Sequence, residues 1–102
     1  FKVTMNESLA VALLTNLLKN AFVHNIDGGH IRITVTKNGI TFRNSGVEHP
    51  LNKEHIFERF YQGSKKEGST GLGLAIADSI CRLQHLNIKY YFEQNEHCFE
   101  IS

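Results

Sequence analysis

Two hairpins of alternating residues, separated by helical stretches, restrict the fold of this chain more than any other feature. Ile31, Ile33 and Val35 alternate with polar residues, the Asn38-Gly39 pair is suited to the left-handed backbone of a tight turn, and Ile40 and Phe42 resume the alternation. Ile88, Tyr90 and Phe92 alternate in the same way, the Gln94-Asn95 region turns, and Phe99 and Ile101 complete a closing strand pair. Between and before these hairpins the apolar period changes from two to about three and a half, the mark of helices that lie on a sheet.

Leu9, Leu13 and Leu17, with the neighbouring set Leu14, Leu18 and Ala21, predict one buried helix face over about residues 8–23. Its start is open: Thr4 with Glu7 forms a capping box, and Asn6 is an equally good N-cap. Asn52 is placed to cap a short helix over residues 53–60 that buries Ile56, Phe57 and Phe60, and the polar, glycine-punctuated residues 62–70 read as a loop. A second long helix begins at Gly71 or Leu72, buries Leu72, Ile76, Ile80 and Leu83, and ends near His85. Residues 1–4 leave room for a strand ahead of the first helix. The expectation is an α+β fold: a two-layer sandwich whose sheet is mixed but mostly antiparallel, with the helices on one face. A length of 102 residues with 41% hydrophobic content suits one domain, residues 1–102, with one modest core.

Lys and Arg number 11 against 10 Asp and Glu, so no broad field attracts nucleic acid or an anionic membrane, and any anion site must be local. Cys81 and Cys98 have no metal-ligand spacing and no charged neighbourhood that would activate a thiol, which fits a reducing, cytoplasmic compartment. No apolar run approaches the roughly 18 to 20 residues that span a bilayer. The first residue is Phe1 rather than methionine, so the chain reads as a fragment of a longer protein in which a membrane segment can lie upstream.

Two polar features stand apart from this scaffold. Asn16, Asn20 and His24 recur four apart, one line on the first helix beside its leucine face. Three polar residues at that spacing are usually a solvated face. Asparagine, however, is a poor residue for a helix interior, and its neutral carbonyl oxygen is a good Mg²⁺ ligand beside a phosphate. The second feature, Gly68-Ser69-Thr70-Gly71-Leu72-Gly73-Leu74, runs straight into the second long helix, where free backbone N–H groups and the positive helix end favour an anion. It is not a Walker A loop, because Ser69 follows Gly68 and Leu74 follows Gly73 where lysine is required. It is not a dinucleotide fingerprint, because Ile76 stands where a small residue is needed and Lys65-Lys66-Glu67 stands where an apolar strand should lead in.

Together, Asn16-Leu17-Leu18-Lys19-Asn20-Ala21, Asn44-Ser45-Gly46, Ile56-Phe57-Glu58-Arg59-Phe60 and Gly71-Leu72-Gly73-Leu74-Ala75-Ile76 resemble, in order and spacing, the N, G1, F and G2 boxes of the ATP-binding catalytic domain of sensor histidine kinases. The resemblance implies the Bergerat fold shared with the gyrase, heat-shock chaperone and mismatch-repair ATPases, and it implies ATP and Mg²⁺ as cofactors. It implies roles as well: Asn20 as the Mg²⁺ ligand, Asn16 as the polar group beside it, with both counted as catalytic, and His24 as a phosphate or ribose contact. Asn44 falls at the adenine-reading position, and Gly46 lets the backbone pass the base. Thr70, Gly71, Leu72 and Gly73 fall in the phosphate loop. Phe57 and Phe60 match residues that anchor a lid, for which core packing is an equal explanation.

The chain departs from the family pattern in three places. Asn44 replaces the usual aspartate and can accept a hydrogen bond only through a neutral amide oxygen. Val23 stands where Lys or Arg is usual, a charge that Lys65, Lys66 or Arg59 could supply. Gln94-Asn95-Glu96-His97 carries no glycine where the later box usually has one. An amide at position 16 cannot act as the general base that a glutamate supplies in the related hydrolases, which suits a kinase whose acceptor is already a nucleophile. The resemblance therefore implies transfer of the ATP γ-phosphate to a histidine on a separate, dimeric phosphoacceptor domain of the same protein, with a response regulator downstream and no nucleic-acid partner. The full-length protein would be anchored in the inner membrane with this domain cytoplasmic. His24, His30, His49, His55, His85 and His97 are surface or packing residues by default, none lying in a phosphoacceptor context. The alternative, motivated by Asn44 and Val23, is a non-catalytic relative that binds nucleotide weakly and serves as an interaction module.

Overall fold

The computed structural model describes residues 4–25, 27–48, 50–58 and 72–102. Its elements run α1 (Glu7–Val23), β1 (Ile31–Thr36), β2 (Gly39–Asn44), α2 (Gly73–Leu83), β3 (Ile88–Glu93) and β4 (Glu96–Ile101). Over its described residues, 53–58, the predicted short helix is reduced to turns. Asn52 does cap it, its side chain accepting the Glu54 N–H at 3.0 Å and its carbonyl the Ile56 N–H at 2.9 Å, but the next bond, Glu58 N–H to the His55 carbonyl, already spans only three residues. A single cap therefore closes one turn without propagating a helix, as expected where nucleation is costly and few bonds follow. Arg59, Phe60 and the expected loop at 62–70 lie outside the described residues, as do residues 1–3.

Asn6 is the N-cap of α1, its side-chain oxygen taking the Ser8 N–H at 2.8 Å. Leu13, Leu17 and Ala21 are buried as predicted, with Leu9 packed beside them. Leu14 and Leu18 are not: they are 44% and 36% exposed, in line with Val11 and Phe22 on a side of α1 that no described element covers. Helix α2 corrects its predicted stripe in the same way. Ala77, Ile80 and Cys81 are buried, whereas Ile76 is 42% and Leu83 64% exposed. Small side chains at Ala77 and Cys81 let α2 approach α1 closely, so the buried face is set by fit and not by the largest apolar residues. The helix stops on His85, whose φ of 58° supplies the left-handed residue, while the Leu86 N–H returns to the Cys81 carbonyl at 2.7 Å and the His85 N–H to the Arg82 carbonyl at 3.2 Å.

The four strands form one sheet in the order β1-β2-β4-β3, and each pairing is antiparallel. Register places Phe42, Phe99 and Tyr90 in one row and Ile40, Ile101 and Ile88 in the next, all facing the helices. Burying such a side chain contributes about 1.5–3 kcal/mol, and this face is the core. Ile33 and Val35 of β1 share it by register but remain exposed at the open edge of the helix layer.

The two hairpin turns exchange the properties predicted for them. Asn38 and Gly39 do not adopt positive φ; the turn is Lys37-Asn38, tied by Thr36 Oγ1, which accepts the Asn38 N–H at 3.2 Å. Gly39 already belongs to β2, and glycine is required there because a Cβ would collide with the Ile101 carbonyl oxygen. The left-handed pair is Gln94-Asn95, with φ of 53° and 61°.

Candidate functional site

Asn44 ends β2 on the helix-facing side and is 2% exposed. Its amide nitrogen donates to the Ser45 carbonyl at 2.8 Å, which fixes the side chain and leaves Oδ1 buried with no hydrogen-bond donor among the described residues. An orphan acceptor of this kind costs on the order of 1–3 kcal/mol until something donates to it. Ser45 knots the corner. Its hydroxyl accepts the His30 N–H at 2.8 Å and donates to Asn25 Oδ1, while Asn25 Nδ2 donates to the His30 carbonyl at 3.1 Å. The chain leaving α1 is thereby tied to the end of β2. Gly46 then passes between α1 and β4: a Cβ would lie 2.9 Å from the His24 carbonyl oxygen and 3.0 Å from the His97 ring. Substituting any other residue would force this corner apart.

The polar line on α1 meets the start of α2. Asn16 donates from Nδ2 to the Ala12 carbonyl at 2.7 Å, and its Oδ1 lies 3.2 Å from where a Cβ of Gly73 would stand. Asn16 and Gly73, drawn from two separate motifs, are thus brought together, and a side chain at position 73 would require Asn16 to give way by a few tenths of an ångström. Asn20 and His24 follow on α1, both half-buried, with the His24 N–H closing on the Asn20 carbonyl at 3.1 Å. Leu72 stands ahead of α2 at its N-cap position and makes no side-chain capping bond. Lys65, Lys66, Thr70 and Gly71, the remainder of the expected phosphate loop, lie outside the described residues. Among the described residues no three His, Cys, Asp or Glu side chains cluster as metal ligands.

Sequence reasoning missed Asn25 and gave Ser45 no role; of the two default readings for His97, surface or packing, the structure gives the buried one. Asn25 follows directly after the predicted helix, where a polar residue commonly closes the end, but its partners lie 5 and 20 residues away. Glu96 was missed too. On the sheet face away from the helices it accepts from Arg32 Nε at 3.0 Å and a second Arg32 nitrogen, and pairs with His30 Nε2 at 2.7 Å. The Arg32 hydrogen bonds, reinforced by His30, outweigh burial and hold the Glu96 carboxyl down at about 2. The cysteines are inert: burial pushes the Cys81 thiol up to about 11 and raises Cys98 as well.

Amide-bearing and glycine-opened helices on one face of an antiparallel sheet make this an α+β domain of the Bergerat type, and solved structures share it. A mycobacterial sensor histidine kinase, MprB, superposes with a TM-score of 0.81 at 21% identity over 97% of this chain and 74% of that one. The catalytic domain of histidine kinase ThkA, nucleotide-free, superposes with a TM-score of 0.80 at 27% identity, covering 97% of this chain and 68% of that one. The family model described as histidine kinase-, DNA gyrase B- and HSP90-like ATPase matches residues 5–100, and the chain belongs to that family. Among full-length relatives it is 44% identical over 84 residues to the sensor histidine kinase RppB of Synechocystis, an alignment covering 74% of this chain and 18% of RppB. It is 40% identical over 90 residues to the heme sensor protein HssS of Staphylococcus aureus, covering 83% of this chain and 20% of HssS. The chain thus spans about a fifth of those relatives. No helix among the described residues is long and apolar enough to cross a membrane.

Proposed function

We propose that this chain holds Mg-ATP for phosphoryl transfer to a histidine on a separate, dimeric phosphoacceptor domain of the same protein, with a response regulator downstream. The observation that carries the reading is the buried, donorless Oδ1 of Asn44. The exocyclic amino group of adenine is a donor of the required kind, and the amide is already oriented by its bond to Ser45. Gly46 leaves the backbone beside it free of a side chain that would meet a base.

When bound, Mg-ATP supplies the phosphoryl group. Asn20 offers an amide oxygen to the metal, Asn16 stands beside it over Gly73, and His24 offers a phosphate or ribose contact. Leu72 and Gly73 would offer backbone N–H groups at the start of α2, and by their motif Gly71, Thr70, Lys65 and Lys66 would add polar and positive groups to the phosphates. Asn16 has no proton-accepting form at neutral pH, so water is not activated and transfer rests on positioning and charge neutralisation. As in full-length sensor kinases, the domain would be cytoplasmic in a protein anchored in the inner membrane.

Calorimetric titration with Mg-ATP tests the base contact. Asn44→Leu should weaken binding by about 1–3 kcal/mol, and Asn44→Asp should hold or strengthen it. Indifference to leucine would remove Asn44 from base recognition and favour a non-catalytic interaction module. A thermal-shift series with and without Mg²⁺ tests the metal: Asn20→Ala should keep its fold, lose Mg-ATP stabilisation, and differ less from wild type once Mg²⁺ is chelated. Equal stabilisation of both proteins would return the α1 polar line to a solvated face.

A further inference from the structure

Tyr90 on β3 and His97 on β4 are both buried, and their rings stack at 5.9 Å with an interplanar angle of 22°. His97 Nε2 lies 2.8 Å from the Val47 carbonyl oxygen, which can only accept, so Nε2 carries a proton. The Leu51 N–H donates to the Tyr90 hydroxyl oxygen at 2.9 Å, and the hydroxyl lies 2.7 Å from His97 Nδ1. In the tautomer that carries its proton on Nε2, Nδ1 accepts from the Tyr90 O–H. A relay from Leu51 through Tyr90 and His97 to Val47 therefore bolts the segment after β2 to the sheet at two points.

That segment is the one that leaves the base corner. His97 is the cross-strand partner of Asn44 on the same sheet face, and its ring is the wall against which Gly46 passes. Loss of the relay would free Val47 and Leu51 to shift. Ser45 would move with them, and its carbonyl is what holds the Asn44 amide in orientation.

We propose that Tyr90 and His97 are positioning residues for nucleotide specificity: they hold the 44–51 corner so that Asn44 Oδ1 accepts a purine bearing an amino group at its six position and refuses one bearing a carbonyl there. This rests on the reading of Asn44 as the base contact. A carbonyl would set two acceptors against each other, whereas a loosened corner lets the Asn44 amide turn over and offer its N–H instead, so affinity for ATP falls while affinity for the carbonyl-bearing purine is kept.

The test is the ratio of affinities for Mg-ATP and Mg-ITP, measured calorimetrically on this chain, with the thermal melt recorded for each variant. Wild type should prefer ATP by about tenfold or more, the effect of one unmatched buried acceptor. Tyr90→Phe keeps the stacked ring and removes the hydroxyl; its ratio should fall several-fold while its affinity for ITP stays within about twofold of wild type, the phosphate contacts being untouched. Should Tyr90→Phe lose its cooperative melt, His97→Phe carries the test, and His97→Gln, which keeps an N–H for Val47, should recover part of the ratio. An unchanged ratio in a folded variant overturns the positioning role. Loss of cooperative melting in both Tyr90→Phe and His97→Phe also overturns it, marking the pair as ordinary core. A wild-type ratio near one, with no response to Asn44→Leu, instead sinks the reading of Asn44 itself.

Discussion

The two faces of the sheet solve the same problem of polar groups by opposite means. On the helix side, polar atoms are few and buried: Asn44, His97 and Tyr90, with hydrogen bonds that determine tautomer and orientation. On the other side, charges are many and mostly wet: Arg43 reaches Glu93 at 3.3 Å and lies over the Tyr91 ring at 5.9 Å, Lys89 reaches Glu100 at 3.3 Å, and only Glu96 is well buried beneath its partners. The first arrangement gives direction at a cost in stability when a partner is missing. The second tolerates losses, because solvent replaces what a lost partner gave. Recognition chemistry therefore belongs on the helix side, and the charged face serves to cover Cys98 and keep the sheet in water.

The contrast breaks most visibly in the core. Phe99→Ala removes a ring packed against Phe57 and Tyr90 and should cost about 3–5 kcal/mol; urea unfolding at neutral pH measures it, and a cost below about 1 kcal/mol would mean that this face is loosely packed.

Glu96 is the exception on the charged face, and pH isolates it. Its folded carboxyl sits at about 2 against 4.5 for an ordinary one. A depressed folded value means that stability is present above the unfolded range and lost as pH falls from about 5 toward 2. Because Arg32 and His30 stand half in solvent, the loss should be on the order of 1–3 kcal/mol. Glu96→Gln should flatten the profile over that window, and a variant profile as steep as wild type would assign the acid loss to other carboxylates.

The remaining surface pairs should be nearly silent. Lys89→Ala and Arg82→Ala remove partners of Glu100 and Asp78 that are themselves well exposed, and each should change unfolding free energy by no more than about 0.5 kcal/mol. A loss above about 1 kcal/mol for Lys89→Ala would show that the charged face contributes to stability beyond the Glu96 knot, and Arg82→Ala, a pair within α2, serves as the control away from the sheet.

The same contrast explains what could be read in the sequence. Both helices, both hairpins and their order were legible because period and alternation are local. Which side of a helix is buried was only half legible: Leu14 and Leu18 have the right spacing, but burial depends on a neighbour across that side, and their helix packs instead through Leu13 and Leu17. Gly39 was correctly marked and given the wrong reason, since its constraint is the Ile101 carbonyl, 62 residues away in sequence. At the candidate site, Asn44, Gly46, Asn16 and Gly73 stood out through motif spacing. The Tyr90 and His97 relay did not, because its partners at Val47 and Leu51 lie across the fold, and a histidine in an alternating strand has no local mark of being buried.

The β3-β4 turn has a consequence for how this sequence can change. Gln94 and Asn95 both occupy the left-handed region, at φ of 53° and 61°, where glycine fits without penalty and glutamine does not. The turn therefore holds unused stability one substitution away, at the same end of the sheet as Asn44, whose cross-strand partner His97 lies two residues beyond Asn95. A lineage, or an engineer, can draw on that reserve to absorb a destabilising change in the base corner, so that specificity there can drift without losing the fold that carries it.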